Sequence, residues 1–322
     1  MKKIGLWLVS GFVCTCLMAA IARAEPADTV LLNGKIVTVD DQFKIARALA
    51  ISGERISYVG SVQEARRLIG PQTRVIDLKG RTVIPGLIDN HTHFMRAAEY
   101  WDREVRWDGI SSRKEALGML RDKARTSKPG EWVLVLGGWS HEQFTDSQQP
   151  FTREELDQVL PDNPVILQLI YFRIYTNSKG LDALGLKDDA PDPRGGKLTR
   201  DALGRLNGVL DGGGSVRFAL GKLPPLASPE HALAQARQLL ADLNKMGMTT
   251  FMDYGGRGFS EKYFEPFRTL ARERQLTARV FHAYWLQPES APEVEPVLEK
   301  IRAMKPFQGD HWFDHLGYGE TV

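Results

Sequence analysis

Residues 83–93 of the chain read VIPGLIDNHTH. A Pro-Gly turn precedes a short apolar run, which ends in polar residues and predicts a strand. Successive side chains of a strand alternate between two faces, so His91 and His93 are expected on one face with Thr92 on the other. Two neutral imidazoles at the carboxyl end of one strand can bind a single divalent cation, and imidazole nitrogen suits zinc. A bare His-x-His also occurs by chance on protein surfaces, so the preceding turn and strand are what favour a metal site.

The segment before this strand is rich in short strands and turns. Asn33 and Gly34 separate two apolar runs and predict a two-residue hairpin, because this dipeptide tolerates positive φ. A Ser-Gly-Glu turn at 52–54 separates the next pair of predicted strands, and a short helix is predicted at 62–68. We therefore expect a small β-rich unit over residues 25–84.

Strands and helices alternate in the last third of the chain. Ser228 and Pro229 are residue types that begin a helix, and Gly247 is one that ends it. The following segments continue the alternation, with strands at 248–254, 277–284 and from 315, and helices at 260–274 and 292–304. Apolar strands alternating with helices predict a parallel sheet covered by helices, either as a barrel or as a doubly wound sheet.

The stretch between these two regions is mixed. Ser112 and Thr152 each stand three residues before a glutamate, the spacing of a capping box at the start of a helix. Apolar runs at 132–136 and 165–171 are predicted as buried strands. The three glycines at 212–214 lack the strand–loop–helix pattern of a phosphate-binding loop, so they are interpreted as a flexible connection.

The first residues have the pattern of a secretory signal peptide. A basic start precedes a mostly apolar run, and residues 22–24 read ARA, a small-residue cleavage site. The sequence predicts removal of residues 1–24 and export, with the periplasm as the destination. Both cysteines, Cys14 and Cys16, fall in this segment, so the exported chain has no thiol to act as nucleophile or metal ligand. Beyond it, no apolar run reaches the ~20 residues that span a bilayer, so no stable membrane insertion is expected.

Removal of this segment also changes the charge balance. Without Lys2, Lys3 and Arg23 the 42 basic residues fall to 39, against 40 acidic residues. A nearly neutral chain has no basic field to attract nucleic acid, so nucleic acid is not an expected partner. The 43% hydrophobic and 25% charged residues are ordinary for a globular protein and exclude a disordered or disulfide-stabilised chain.

Several stretches together resemble the amino-terminal portion of the amidohydrolase superfamily. NGKIVT at 33–38, AISGERI at 50–56 and the 83–93 stretch resemble its opening strands and its "PGLID-x-H-x-H" entry into a barrel. Four later stretches resemble the YtcJ-like (amidohydrolase 3) branch, which includes N-substituted formamide deformylases: GGW at 137–139, NSK at 177–179, GGKLTRD at 195–201 and GMTTFMD at 247–253. The resemblance covers essentially the whole chain after the signal segment.

This resemblance implies an α/β fold with two parts. A small β-sandwich domain segment, 25–84, would precede a metal-dependent (β/α)8-type barrel. The barrel segment, 85–322, would be incomplete and contain only the amino-terminal part of the barrel, with an insertion at about 99–214. The active site of such a barrel lies at the carboxyl ends of its strands.

The resemblance also implies a set of site residues. His91 and His93 would be first-strand metal ligands, and Glu320, after the predicted fourth strand, would be the third. The alternative interpretation is that Glu320 is an ordinary exposed glutamate with no role at a metal site. The cofactor would be a divalent metal, with zinc favoured. Trp139 and His141, in the insertion, are candidate substrate contacts, although a solvent-facing loop histidine is the favoured explanation of His141.

This chain departs from the family pattern in two ways. The family takes two more metal-binding histidines and a proton-shuttle aspartate from later strands, so the catalytic proton carrier is not expected in this chain. Phe172 stands where the branch usually has a substrate-contacting histidine.

Three functions therefore stay open. The first is a hydrolase, active only when the missing later strands are supplied, that uses a metal-activated water to cleave a carbon–nitrogen bond, in a non-peptide amide or N-formyl group of a small molecule. The second is a truncated, catalytically inactive fragment that retains a partial metal site. The third is an exported binding protein in which the two histidines are incidental. Half of a barrel would leave an exposed strand edge that can pair with a second copy, so a homo-oligomer is also open.

Overall fold

The structure is a computed structural model that describes residues 25–225, 228–257, 263–285, 288 and 290–319. It divides into two compact units, of which the first ends at Gly86 and the second begins at Leu87. In this part of the chain no helix combines the length and the apolar character needed to cross a bilayer. The predicted signal segment, 1–24, and the predicted ligand Glu320 lie outside the described residues.

The first unit is built from two small sheets. Its elements are β1 (Thr29–Leu32), β2 (Lys35–Val37), β3 (Ile45–Ala46), β4 (Ala48–Ser52), β5 (Arg55–Gly60), α1 (Val62–Arg66), β6 (Arg74–Asp77) and β7 (Thr82–Val83). One sheet has the order β5-β4-β1-β6, and the other has the order β3-β2-β7. Ile36 of β2 and Leu49 of β4 are buried in one apolar cluster with Leu78, so the two sheets share a core.

The predicted hairpin at Asn33 and Gly34 is wrong. Asn33 does adopt a left-handed backbone, with φ of 59°. However, β1 pairs with β4 and β6, whereas β2 pairs with β3 and β7. Because both edges of β1 are occupied, the chain passes through this turn into the other sheet. The turn at Gly53, by contrast, does join the antiparallel strands β4 and β5.

The second unit begins with β8 (Leu87–Thr92) and the short helix α2 (Phe94–Ala98), and a large insertion follows. The elements of the insertion are α3 (Arg113–Thr126), β9 (Val133–Val135), a 3-10 turn (His141–Gln143), α4 (Arg153–Val159), β10 (Val165–Leu169), β11 (Arg173–Tyr175), α5 (Ser178–Leu184), β12 (Lys197–Arg200), β13 (Leu206–Asp211) and α6 (Gly213–Gly221). They form one sheet with the order β12-β13-β11-β10-β9, in which β9 and β10 are parallel and the other neighbours antiparallel. As predicted, the hydroxyls of Ser112 and Thr152 cap α3 and α4.

The glycines at 212–214 are not a flexible connection. Gly212 stands at the start of α6 with φ of 85°, and the next two glycines lie in the helix. A Cβ added to Gly214 would lie 2.0 Å from the carbonyl oxygen of Arg194. Glycine is required here because a neighbouring segment crosses the first turn of the helix at close range.

After the insertion the chain alternates between helices and parallel strands. The elements are α7 (Pro229–Lys245), β14 (Met248–Arg257), α8 (Glu265–Arg272), β15 (Arg279–Trp285), α9 (Ala291–Ala303) and β16 (Phe313–Tyr318). The sheet has the order β16-β15-β14-β8, and every pair is parallel. This confirms the predicted α/β alternation.

An aromatic core joins the helices to this sheet. Phe251 of β14 stacks on Phe94 of α2 with ring centroids 4.8 Å apart, and Phe267 of α8 lies 4.9 Å from Phe94. His282 is buried in the same region, with its ring centroid 4.1 Å from that of Phe264. His282 is therefore a packed core residue of this region.

A carboxyl group inside the insertion yields a prediction about pH. Glu104 accepts a 2.8 Å hydrogen bond from the backbone N–H of Leu136. Burial raises the pKa of the Glu104 carboxyl, and the Leu136 N–H and the charge of Arg106 only partly oppose this. Because folding raises the pKa of Glu104, binding of a proton by this carboxyl stabilises the folded state. This contribution is fully present below the ordinary glutamate pKa and is lost as the pH rises through the folded-state pKa. Glu104→Gln stays neutral, so it is expected to increase the free energy of unfolding at pH 7.5, with the gain disappearing near pH 4.

Urea unfolding at several pH values measures this difference. Glu154→Gln is the matched control, because hydrogen bonds from its own backbone N–H and from Arg153 lower the pKa of Glu154. The control variant should show the opposite sign at neutral pH. A Glu104→Gln variant that is less stable than the parent protein at pH 7.5 would contradict the prediction.

Candidate metal centre

The structure brings the two predicted histidines together. His91 is the penultimate residue of β8, and its backbone N–H donates to Oδ1 of Asp89. The ring centroids of His91 and His93 are 5.7 Å apart, and the rings are nearly perpendicular. The expectation that both residues belong to the strand is wrong in one detail. The strand ends at Thr92, and His93 is the residue that precedes the first turn of α2.

The pair fits a shared divalent cation. Two imidazoles that bind one zinc ion at about 2.1 Å in tetrahedral geometry have ring centroids about 5 Å apart. The observed separation is close to this value, and imidazole nitrogen is a preferred zinc donor. Among the described residues, no group of three or more His, Cys, Asp or Glu side chains is arranged to hold a metal. The predicted third ligand, Glu320, lies outside the described residues.

A buried carboxylate fixes the backbone beside His93. Asp253 on β14 is only 1% exposed and is paired in register with Thr92 of β8. Its Oδ2 accepts a 2.8 Å hydrogen bond from the backbone N–H of Met95, two residues after His93. Asp253 therefore anchors the backbone segment that carries His93.

Tyr254 packs against the other histidine. Its ring centroid lies 5.1 Å from that of His91. A Cβ added to Gly319 would lie 2.9 Å from Cδ1 of Tyr254, so the chain after β16 passes close to this tyrosine. Tyr254 of β14 therefore lies near both the carboxyl end of β8 and the residue that follows β16. The sequence interpretation missed Tyr254, although its position at the end of a predicted strand was a usable signal.

Tyr171 reaches the histidine pair from the insertion. Its ring centroid is 5.7 Å from that of His93, and Cζ of Arg96 lies 5.0 Å from the centre of the Tyr171 ring. The predicted strand at 165–171 ends earlier, at Leu169, because Ile170 adopts a left-handed backbone with φ of 50°. Tyr171 therefore lies in the turn between β10 and β11. A prediction from apolar pattern alone placed it inside a strand and missed its contact with His93.

The two candidate substrate contacts lie in the insertion. Trp139 is 5% exposed, and its ring packs against Trp107 at a centroid distance of 5.2 Å. Nε2 of His141 is 2.9 Å from the hydroxyl oxygen of Tyr175. Burial lowers the pKa of His141, and the charge of Arg113 adds to this effect. These contacts give both residues packing roles in the insertion, and a role in substrate binding stays a prediction.

Several known proteins are similar to this chain in sequence. A family model described as the amidohydrolase family matches residues 74–315. The chain is 34% identical over 185 residues to an N-substituted formamide deformylase of Arthrobacter pascens, across 57% of this chain and 34% of that protein. It is 30% identical over 182 residues to the putative amidohydrolase YtcJ of Bacillus subtilis, across 55% and 34% of the two chains. The chain thus spans about a third of the length of these curated relatives.

A solved structure supports the fold. An uncharacterized metal-dependent hydrolase from Pyrococcus furiosus superposes with a TM-score of 0.56 and 23% sequence identity, covering 90% of this chain and 55% of that one. The chain belongs to the amidohydrolase family. Within that family it falls in the YtcJ-like branch.

Proposed function

We propose that this chain contains the amino-terminal part of a metal-dependent hydrolase that cleaves a carbon–nitrogen bond, in an N-formyl or other non-peptide amide of a small molecule. The observation that carries the proposal is the close approach of the His91 and His93 rings at the carboxyl end of β8. In parallel α/β barrels the carboxyl ends of the strands are where active sites form.

The residues of this chain have distinct roles in the proposed site. His91, His93 and Glu320 would hold the cation, and zinc is favoured by the two imidazole donors. When bound, such a cation polarises a carbonyl oxygen and lowers the pKa of a water molecule to about 7. Asp253 keeps the backbone beside His93 in place through its hydrogen bond to Met95. Amide hydrolysis breaks the bond between the carbonyl carbon and the nitrogen. The carbon gains the hydroxyl group of the water molecule, and the nitrogen gains the proton.

We extend the proposal to the architecture. The two sheets of the first unit would form part of a small β-sandwich domain, and the shared core around Ile36 and Leu49 supports this. The four parallel strands of the second unit would be the first half of a (β/α)8-type barrel. Their order in space, β8-β14-β15-β16, follows their order along the chain, as a barrel requires.

Turnover by zinc-loaded protein that also contains the later barrel strands, with their proton-shuttle aspartate, tests the proposed function. We expect release of amine and carboxylate from N-formyl amides or aryl amides, and loss of this release after treatment with a chelator. Retained metal without turnover would favour the alternative of a fragment with a partial metal site. Failure to retain any divalent metal would favour the exported binding protein.

We also propose that the protein is exported and that the segment 1–24 is removed. The support is the basic start, the apolar run and the ARA site at 22–24. Fractionation followed by amino-terminal sequencing tests it. A periplasmic protein that begins at Glu25 is the expected result, and a cytoplasmic protein with an intact first segment would contradict it.

A further inference from the structure

The turn between β10 and β11 is exposed and apolar. We call residues 170–172 the insertion tip, and its side chains Ile170, Tyr171 and Phe172 are 53%, 42% and 68% exposed. Three consecutive exposed apolar residues are unusual on a soluble surface unless they contact something. Ile170 is a β-branched residue with φ of 50°, a conformation that persists only where the surrounding structure holds it in place.

Hydrogen bonds hold the insertion tip in this conformation. Gln168 is buried, and its Nε2 donates to the carbonyl oxygen of Ile170 at 2.5 Å. Arg96, on α2, donates to Oε1 of Gln168 at 3.5 Å. On the other side of the turn, the backbone N–H of Gly212 donates to the carbonyl oxygen of Phe172 at 2.6 Å. The tip is therefore fixed to both α2 and the start of α6.

This arrangement places an aromatic ring beside the candidate metal centre. The ring centroid of Tyr171 is 5.7 Å from that of His93. A substrate whose reacting carbonyl lies at a cation held by His91 and His93 therefore has Tyr171 as a neighbour. Arg96 lies against the Tyr171 ring and, through Gln168, helps to fix the backbone of the tip.

We propose that Tyr171 is a specificity-determining residue that favours substrates with an aromatic or other flat apolar group next to the scissile carbon–nitrogen bond. This inference rests on the proposed hydrolase function, because it places the substrate at the histidine pair. Contact with an apolar side chain discriminates between substrates by roughly 10-fold to 200-fold for each methylene-sized difference. A flat apolar group that packs on the Tyr171 ring gains such a contact, whereas a short alkyl group does not reach it.

Two formamides that differ only in a phenyl group test the proposal. They are N-(2-phenylethyl)formamide and N-ethylformamide. For Tyr171→Ala we expect kcat/KM for the phenylethyl compound to fall about tenfold or more, while kcat/KM for the ethyl compound changes less than about twofold. Tyr171→Phe should retain the preference. Phe43→Ala, which removes an exposed aromatic side chain from the other compact unit, is the matched control and should behave as the parent protein.

A binding measurement separates this inference from the proposed function. Saturation-transfer NMR on metal-free protein reports binding of the same two compounds without turnover. Preferential binding of the phenylethyl compound by the parent protein, lost in Tyr171→Ala, would support the role of Tyr171 even if neither compound is hydrolysed. An equal loss of kcat/KM for both compounds would show that Tyr171 acts through His93, and an unchanged preference would show that it contacts no substrate. Either result overturns the proposal.

Discussion

Replacing both His91 and His93 by alanine is expected to lower the bound zinc from about one equivalent per chain to less than about a tenth. Among the described residues, His91 and His93 are the only two histidines at the carboxyl end of β8. Their removal would leave Glu320 as the one remaining proposed ligand, and a single carboxylate does not hold zinc against a chelator. Elemental analysis after dialysis against a weak chelator measures the effect.

The control for this experiment is a histidine outside the candidate site. His311 is exposed and lies before β16, so His311→Ala should retain the zinc content of the parent protein. Circular dichroism of each variant shows whether the fold is preserved. An unchanged zinc content in the double variant would mean that the metal binds elsewhere, and the assignment of the metal centre would then be wrong.

Asn177→Asp is expected to lower the free energy of unfolding by about 3–5 kcal/mol at neutral pH. Asn177 is fully buried, and it caps α5. Its Oδ1 accepts from the backbone N–H groups of Val165 and Gly180, and its Nδ2 donates to the carbonyl oxygens of Leu160 and Asn163. An aspartate has the same shape, but it turns a carboxylate oxygen towards two carbonyl oxygens and buries a charge. The loss should diminish at low pH, where a protonated carboxyl can donate to one of the carbonyls.

Asn207→Asp is the matched control. The hydrogen bonds of Asn207 that the structure describes, from Thr199 and from the backbone of Val209, both use its Oδ1 as acceptor. A carboxylate can still accept both, so the change in stability should be much smaller. Urea unfolding of the two variants gives the comparison. Equal effects of the two substitutions would contradict the role assigned to the amide group of Asn177.

The buried position of Asn177 also explains one of the sequence motifs. The NSK stretch at 177–179 was one of the features that resembled the YtcJ-like branch. In the structure Asn177 connects α5 to the stretch 160–165, which joins α4 to β10, and the hydroxyl of Ser178 donates to Asp157 of α4. The motif is thus a structural anchor of the insertion, and its resemblance points to the fold rather than to catalysis.

The sequence predicted those features that depend on local chemistry. The helix that begins after Ser228 forms as predicted, because the Ser228 hydroxyl accepts from the backbone N–H of His231 and Pro229 suits the first turn. The proximity of His91 and His93 was also predictable from their spacing of two residues, although the strand ends at Thr92, between them.

Features that depend on distant neighbours could not be predicted from the sequence. The backbone of Asn33 has the positive φ that its residue type favours, but the dipeptide does not determine which strands flank it in space. Tyr171 was placed in a strand because its neighbours are apolar, and the left-handed backbone of Ile170 that ends the strand is maintained by Gln168 and its partners. A glycine is required at position 214 because the carbonyl oxygen of Arg194 lies where a Cβ would be placed. This close approach is not apparent from the local sequence.

The pairing of β8 with β14 has a consequence for how the protein folds. The hydroxyl of Thr249 donates to the carbonyl oxygen of Leu87, which lies 162 positions earlier in the chain. The entropy lost in closing such a loop grows with the number of flexible residues in it, and contacts between distant residues form slowly. The insertion has buried cores of its own, so it can become compact early and shorten the flexible path between the two strands. We therefore expect β8 and β14 to pair late in folding, after the insertion between them has folded.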